Sequence, residues 1–175
     1  MGKYVLAVVL SGVVLFIWGF FSWAVMPWHY TVANEFSSEQ AVAQVLKENA
    51  PRAGIYYLPF AEEDHKAGET AAFVNVLPDG AEMNMGKQMG QALLGQMLAA
   101  LLVLLLLRNT SGLNYLQRVG FVALVGLTVG FVSHFPYWNW FGFADAYVLV
   151  TILDSVIAWT LAGFVMAWFV GRQRA

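Results

Sequence analysis

The chain has 175 residues, of which 59% are hydrophobic and 11% are charged, and its formal net charge is −2. A soluble domain carries about 25% charged residues, and a small one leaves much of its surface in water. The composition therefore excludes a soluble globular enzyme, a disordered chain and a nucleic-acid-binding protein, and it indicates a polytopic membrane protein. Because the sequence has no cysteine, disulfides, thiolate metal sites and cysteine nucleophiles are excluded as well.

Four stretches approach the roughly 20 apolar residues that a helix needs to cross a bilayer. They are Tyr4 to Met26, Met89 to Leu107, Val119 to Phe135 and Ala146 to Val170. Pro27 and Pro136 follow the first and third stretches, where proline is typical of a helix stop. The predicted fold is an all-α integral membrane protein, a four-helix bundle with a small α+β extracytoplasmic segment. An uncleaved first helix is favoured over a signal peptide because its apolar run is too long.

The distribution of charge predicts the orientation. Five basic residues and no acid lie at the two termini and in the loop between the second and third helices: Lys3, Arg108, Arg118, Arg172 and Arg174. The opposite side carries four basic and ten acidic residues. Because short cytoplasmic loops are enriched in Lys and Arg, both termini are predicted to be cytoplasmic in a multi-pass protein of the cell membrane. A bacterial inner membrane is the favoured location.

The chain divides into a first helix at 1–27, an extracytoplasmic segment at 28–88 and three helices at 89–175. In the middle segment, Ser37 and Gln40 predict a capped helix over 39–49. Residues 54–59 and 71–77 predict the two strands of a hairpin. The acidic run 62–65 could offer oxygens to a hard cation, but it lacks the spacing of an EF-hand, and a solvated loop is favoured.

Asp154 is the most informative residue because it lies within an apolar helix, away from either end. A charge at that depth is costly and is expected to face other helices, to be paired or to be protonated. Counting residues from the outer side predicts an intramembrane polar cluster around it: Trp18, Gln96, Thr128 and Thr151. A hydrogen-bonded clasp is favoured over a proton or cation pathway, with a ligand-binding role as a third reading.

Aromatic residues concentrate at the predicted outer boundary and indicate interfacial anchoring. A second reading is a pocket for a lipid-like ligand, with 136–142 as its lid. The residues assigned to this outer aromatic rim are Trp28, His29, His134, Tyr137, Trp138, Asn139 and Trp140. His29 and His134 could ligate haem or copper, but water or lipid head groups are favoured, so no metal or cofactor is predicted.

Small residues recur at a spacing of four, at Gly86 and Gly90 and at Gly126 and Gly130, and predict close packing between helices. A homo-oligomer is the alternative use of these faces. No phosphate loop, nucleophile elbow or catalytic motif occurs in the sequence. The favoured function is therefore a non-enzymatic accessory, assembly or sensing component that contacts membrane lipid and a partner protein or lipid-like ligand. The alternative is a small oligomeric transporter or channel in which Asp154 binds a proton or cation.

Overall fold

The computed structural model describes residues 2–61, 63 and 66–171 and is mostly helical. Its elements, in chain order, are α1 (Gly2–Ala24), α2 (Trp28–Thr31), α3 (Glu39–Asn49), β1 (Gly54–Leu58), β2 (Ala72–Val76), α4 (Met85–Arg108), α5 (Tyr115–Phe141) and α6 (Asp145–Val170). Helices α1, α4, α5 and α6 are long and apolar enough to cross a membrane, so the prediction of four such helices is confirmed. The chain forms two compact units, Asn34–Met83 and the segments on either side of it.

The prediction that Pro136 stops the third long helix is wrong. Helix α5 continues through Pro136 to Phe141, where Gly142 adopts the left-handed conformation (φ 65°, ψ 29°). A proline removes one hydrogen bond of the helical ladder, a loss that helices of this kind tolerate when neighbouring contacts hold the turn. The end of the helix is closed by two hydrogen bonds to the Tyr137 carbonyl, one from the Gly142 N–H and one from the Phe143 N–H at 3.3 Å. Residues 136–141, which belong to the segment considered as a lid, are therefore helical.

Glycine allows α5 and α6 to pack at close range. A Cβ on Gly126 would lie 2.5 Å from Cβ of Trp159, and one on Gly130 would lie 3.1 Å from Cβ of Ser155. Ser155 Oγ donates to the Gly126 carbonyl at 2.9 Å across the same contact. The predicted packing role of Gly126 and Gly130 is thus confirmed. Small residues serve this purpose because association of helices in lipid depends on close van der Waals packing.

Helix α1 packs on α4 and on α6. A Cβ on Gly12 would lie 2.6 Å from Cγ of Met97, so α1 and α4 also meet at a glycine. The predicted packing role of Gly86 and Gly90 is wrong. No atom of a neighbouring helix lies within 4 Å of a Cβ built on either residue, because α1 and α4 make their close contact further along, at Gly12.

The unit Asn34–Met83 contains the predicted helix and hairpin. Helix α3 spans the predicted residues, but its N-cap is Ser38, one residue after the predicted Ser37, and Ser38 Oγ accepts from the Ala41 N–H. Strands β1 and β2 are antiparallel, with Gly54 opposite Val76 and Leu58 opposite Ala72. Three residues of the acidic run considered as a cation site lie outside the described residues. Among the residues described, no cluster of three or more His, Asp or Glu could hold a metal ion.

Candidate functional site

Five polar and aromatic side chains from three helices meet at the end of α1 that leads into α2. Trp18 and Ser22 lie four residues apart on α1 and therefore share one face of that helix. Trp28 and His29 lie in α2, the short helix that follows Pro27, and Asp154 lies in the middle of α6. We call these five residues the polar cluster.

Asp154 receives hydrogen bonds from α1. Its Oδ1 accepts from Trp18 Nε1 at 2.6 Å and from Ser22 Oγ at 2.8 Å. Its Oδ2 lies 3.5 Å from His29 Nε2. A carboxylate that is removed from water needs such donors, because an unpaired buried charge is strongly disfavoured. Both oxygens of Asp154 thus face polar groups contributed by α1 and α2.

Ser22 is the centre of the polar cluster and is fully buried. Besides donating to Asp154, its oxygen accepts from Trp28 Nε1 at 3.0 Å and lies 3.0 Å from His29 Nε2. A hydroxyl has one donor and two acceptor positions, so these three contacts use its full capacity. Ser22 therefore links all three helices through one atom.

His29 is 4% exposed and is enclosed by aromatic rings. Its ring stacks on Trp23 with a centroid distance of 3.8 Å and an interplanar angle of 6°. Trp28 packs edge-on against the same ring at 5.4 Å. Its Nδ1 is buried and has no hydrogen-bond partner among the described residues. A buried polar atom without a partner is rare, and this one belongs to an ionisable group.

Ser22, His29 and Asp154 do not form a hydrolytic triad. In a triad the histidine uses one ring nitrogen for the serine and the other for the carboxylate. Here Nε2 of His29 faces both Ser22 and Asp154, and the Ser22 hydroxyl donates to Asp154. This arrangement does not pass the serine proton to the imidazole. It can fasten helices together.

The structure brings one of the four predicted neighbours to Asp154. The Trp18 indole donates to it, whereas Thr128 donates to the Leu124 carbonyl of its own helix at 2.9 Å. Thr151 likewise donates to carbonyls of α6 one turn earlier. Gln96 makes no hydrogen bond within the described part of the chain. These three residues therefore make no hydrogen bond to Asp154 in the described part of the chain, because equal depth does not fix the direction in which a side chain points.

The residues of the outer aromatic rim lie on two different elements. Trp28 and His29 belong to α2 and to the polar cluster. The other five lie on α5: His134, Tyr137, Trp138, Asn139 and Trp140. His134 Nδ1 is 2.8 Å from the Gly130 carbonyl of its own helix, and Trp138 Nε1 donates to Asp145 Oδ1 at 2.6 Å. Nothing in these contacts joins the two histidines at a shared ligand.

Ser22 and the cluster role of His29 were not predicted from the sequence. The signal for Ser22 is its position four residues after Trp18. Residues four apart lie on the same face of a helix, and Trp18 was itself predicted to lie near Asp154. No comparable signal exists for His29. After Pro27 the chain forms the single turn of α2, and this turn places the His29 imidazole against Ser22 of α1.

The opposite end of the bundle holds basic side chains. Arg118, in the first turn of α5, is 7% exposed, and its Nη1 donates to the Gly171 carbonyl at the end of α6. Arg108 lies over the ring of Tyr4, with its guanidinium carbon 4.3 Å from the ring centroid. A cation at a helix C-terminus is favourable, so Arg118 stabilises the end of α6.

Compared with known proteins, the chain matches no family model, no curated protein and no solved structure. Its function is therefore argued from its own residues.

Proposed function

We propose that this chain is a non-enzymatic multi-pass membrane protein, an accessory, assembly or sensing component. The observation that supports the proposal is that the side chains of the polar cluster bond to one another. The hydroxyl proton of Ser22 goes to Asp154 and its oxygen accepts from α2, so the cluster fastens α2 to α1 and α6. Two residues separate α2 from Asn34–Met83 in the sequence.

The segment Asn34–Met83 is the part that contacts a partner protein or a lipid-like ligand on the outer side. It carries large apolar side chains that are exposed, including Phe60 at 89%, Phe36 at 65% and Ile55 at 51%. Exposed apolar residues that cluster in one small unit are typical of an interaction surface. Residues 34–83 carry three Lys or Arg and nine Asp or Glu, and this scarcity of basic residues supports an extracytoplasmic location. Membrane lipid and a second copy of the chain are further contacts that fit the apolar helices.

Affinity purification of the full chain in mild detergent tests this proposal. A partner protein or lipid should co-purify with the wild type, and the double variant Ile55→Ser and Phe60→Ser should lose at least about fivefold of it. Lys47→Ser, a change on exposed α3 that leaves both apolar residues in place, is the matched control. A chain that emerges alone, or a partner retained equally by all three proteins, would contradict the proposal.

A transporter or channel is the second candidate, and the position of Asp154 favours it. An acid in the middle of an apolar helix is expensive to place in a bilayer, and such residues often mark ion or proton pathways. The side chain is 16% exposed and lies 3.5 Å from an imidazole that can exchange protons. Proton and cation flux into liposomes should fall with Asp154→Asn and persist with Asp145→Asn. Equal flux in all three proteins removes this candidate.

A further inference from the structure

Tyr4 brings two basic side chains from different helices together. Lys3 and Tyr4 lie in the first turn of α1, and Arg108 is the last residue of α4. Lys3 Nζ lies 4.9 Å from the centroid of the Tyr4 ring, and the guanidinium carbon of Arg108 lies 4.3 Å from the same centroid. The ring packs against the hydrophobic core of the bundle, so the fold fixes its position. Since an aromatic ring attracts cations, Tyr4 holds both charges.

These two charges have no acidic partner. Within the described residues neither Lys3 nor Arg108 forms an ion pair. The sequence agrees, because no Asp or Glu occurs in α1, in α4, in α5 or in the loop 109–114. Both cations approach one centroid, so they lie closer together than about 10 Å, the Debye length at 0.1 M salt, and they repel each other. An anion placed between them would replace this repulsion by two attractions.

The two side chains are exposed and match the chemistry of a phosphate group. The guanidinium of Arg108 offers a planar pair of N–H donors to two oxygens, and the ammonium of Lys3 offers a compact charge with three donors. Both residues lie at the ends of helices that are long and apolar enough to cross a membrane. The end of a membrane-crossing helix lies near the lipid head groups, where basic side chains between helices bind anionic lipids. The anion that fits is therefore the phosphate of a phospholipid.

We propose that Lys3 and Arg108 form a binding site for the phosphate group of an anionic phospholipid. The phosphate bridges the ammonium and the guanidinium, and Tyr4 positions the two cations. Arg118 is not part of this site, because it is buried and its Nη1 donates to the Gly171 carbonyl. The site uses no residue of Asn34–Met83, so the inference goes beyond the function proposed above.

Native mass spectrometry of the full chain in mild detergent, titrated with lipid, tests the site. The wild type should bind the anionic lipid phosphatidylglycerol more tightly than zwitterionic phosphatidylcholine with the same acyl chains. The difference should be at least about tenfold, since each basic residue near a membrane surface contributes a factor of about five. Equal binding of the two lipids by the wild type would overturn the inference without any variant.

A pair of double variants separates the site from overall charge. Lys3→Gln with Arg108→Gln should abolish the preference for phosphatidylglycerol, and because both side chains are exposed, the helical circular dichroism should not change. The matched control is Arg172→Gln with Arg174→Gln, which removes the same charge from the sequence after α6 and should keep the preference. An equal loss in the two double variants would show that net charge alone selects the lipid, and it would contradict the site.

The ring and the source of the phosphate are tested in the same titration. Tyr4→Leu keeps both charges without the ring and should lower the preference at least about twofold, whereas an unchanged preference would contradict the role of Tyr4. Inorganic phosphate, equimolar with the lipid, should leave the lipid bound, and displacement would indicate a site for free phosphate instead. The double variant Ile55→Ser and Phe60→Ser should bind phosphatidylglycerol as the wild type does, so this inference and the proposed function can fail separately.

Discussion

Two neighbouring residues of α6, Asp154 and Ser155, face different helices and take part in different kinds of contact. Asp154 faces α1 and α2 and is held by hydrogen bonds from Trp18 and Ser22. Ser155 faces α5, where Gly126 and Gly130 let the two backbones approach until a single added methyl group would collide. One face of α6 is thus a polar contact made by hydrogen bonds, and the other is a contact made by close packing.

The difference shows how a bundle of apolar helices can combine a hydrogen-bonded and a close-packed contact. Apolar surface gives little reason for two helices to associate in lipid, since lipid tails are as apolar as leucine. Helices α5 and α6 associate through close van der Waals packing. Helices α1 and α6 associate through hydrogen bonds between polar groups, for which lipid tails offer no partners. Four substitutions test this division, and they are described in order of decreasing effect on stability.

Gly126→Leu should be the most damaging. Its Cβ would lie 2.5 Å from Cβ of Trp159 and 3.0 Å from the Ser155 carbonyl, so α5 and α6 must separate. Overpacking of a tight core costs about 1–3 kcal/mol and occasionally more, and this site belongs at the upper end. Unfolding in mixed micelles measures the loss. Gly120→Leu, where nothing lies within 4 Å of the new Cβ, should remain within experimental error of the wild type.

Asp154→Asn should destabilise the chain less, by about 1–2 kcal/mol. The substitution alters two hydrogen bonds, each of which contributes the modest free energy typical of membrane helices, and it weakens the contact with His29. The amide keeps one oxygen acceptor but turns a donor towards groups that also donate. Asp145→Asn is the matched control, because it also alters a tryptophan–aspartate hydrogen bond at 2.6 Å, but at an exposed position. Equal losses in the two variants would show that the polar cluster has no special role.

Ser22→Ala and Ser11→Ala compare two fully buried serines on α1. Ser22 has three polar contacts, whereas Ser11 Oγ has no hydrogen-bond partner among the described residues. Loss of the Ser22 hydroxyl should cost about 1 kcal/mol, since it leaves the Trp28 indole without its acceptor. Ser11→Ala should be neutral or slightly stabilising. If both cost the same in the micelle unfolding experiment, the hydrogen bonds of Ser22 do not explain the effect.

Gln96→Leu should have the smallest effect. The sequence places this amide at the depth of Asp154, but the structure gives it no hydrogen bond in the described part of the chain. Removing an unsatisfied amide from an apolar surrounding should leave stability unchanged or raise it by a few tenths of a kcal/mol, about the value of a surface substitution. A loss comparable to that of Asp154→Asn would place Gln96 in the polar cluster after all and would restore the prediction based on depth.

The sequence predicted the elements better than their contacts. Helix α3 and both strands fall where capping and alternation place them, because those signals are local. The extent of α5 was underestimated at Pro136, since the penalty of one missing hydrogen bond is small beside a helix held along its length by α6. Of the five residues of the polar cluster, the sequence grouped Trp18 with Asp154, which the Trp18 indole contacts, but it did not group Ser22, Trp28 or His29 with them.

What the sequence determined alone is the number of long apolar helices, their approximate ends and the singular position of Asp154. These follow from chain-local quantities, namely the length of each apolar run and the cost of one charge within it. What only the tertiary structure decided is the direction in which each side chain points. Helix rotation and the turn at α2 place Ser22 and His29 beside the carboxylate and leave Gln96 and Thr128 elsewhere. Rotation is set by the packing of α1 on both α4 and α6, which no single stretch of sequence contains.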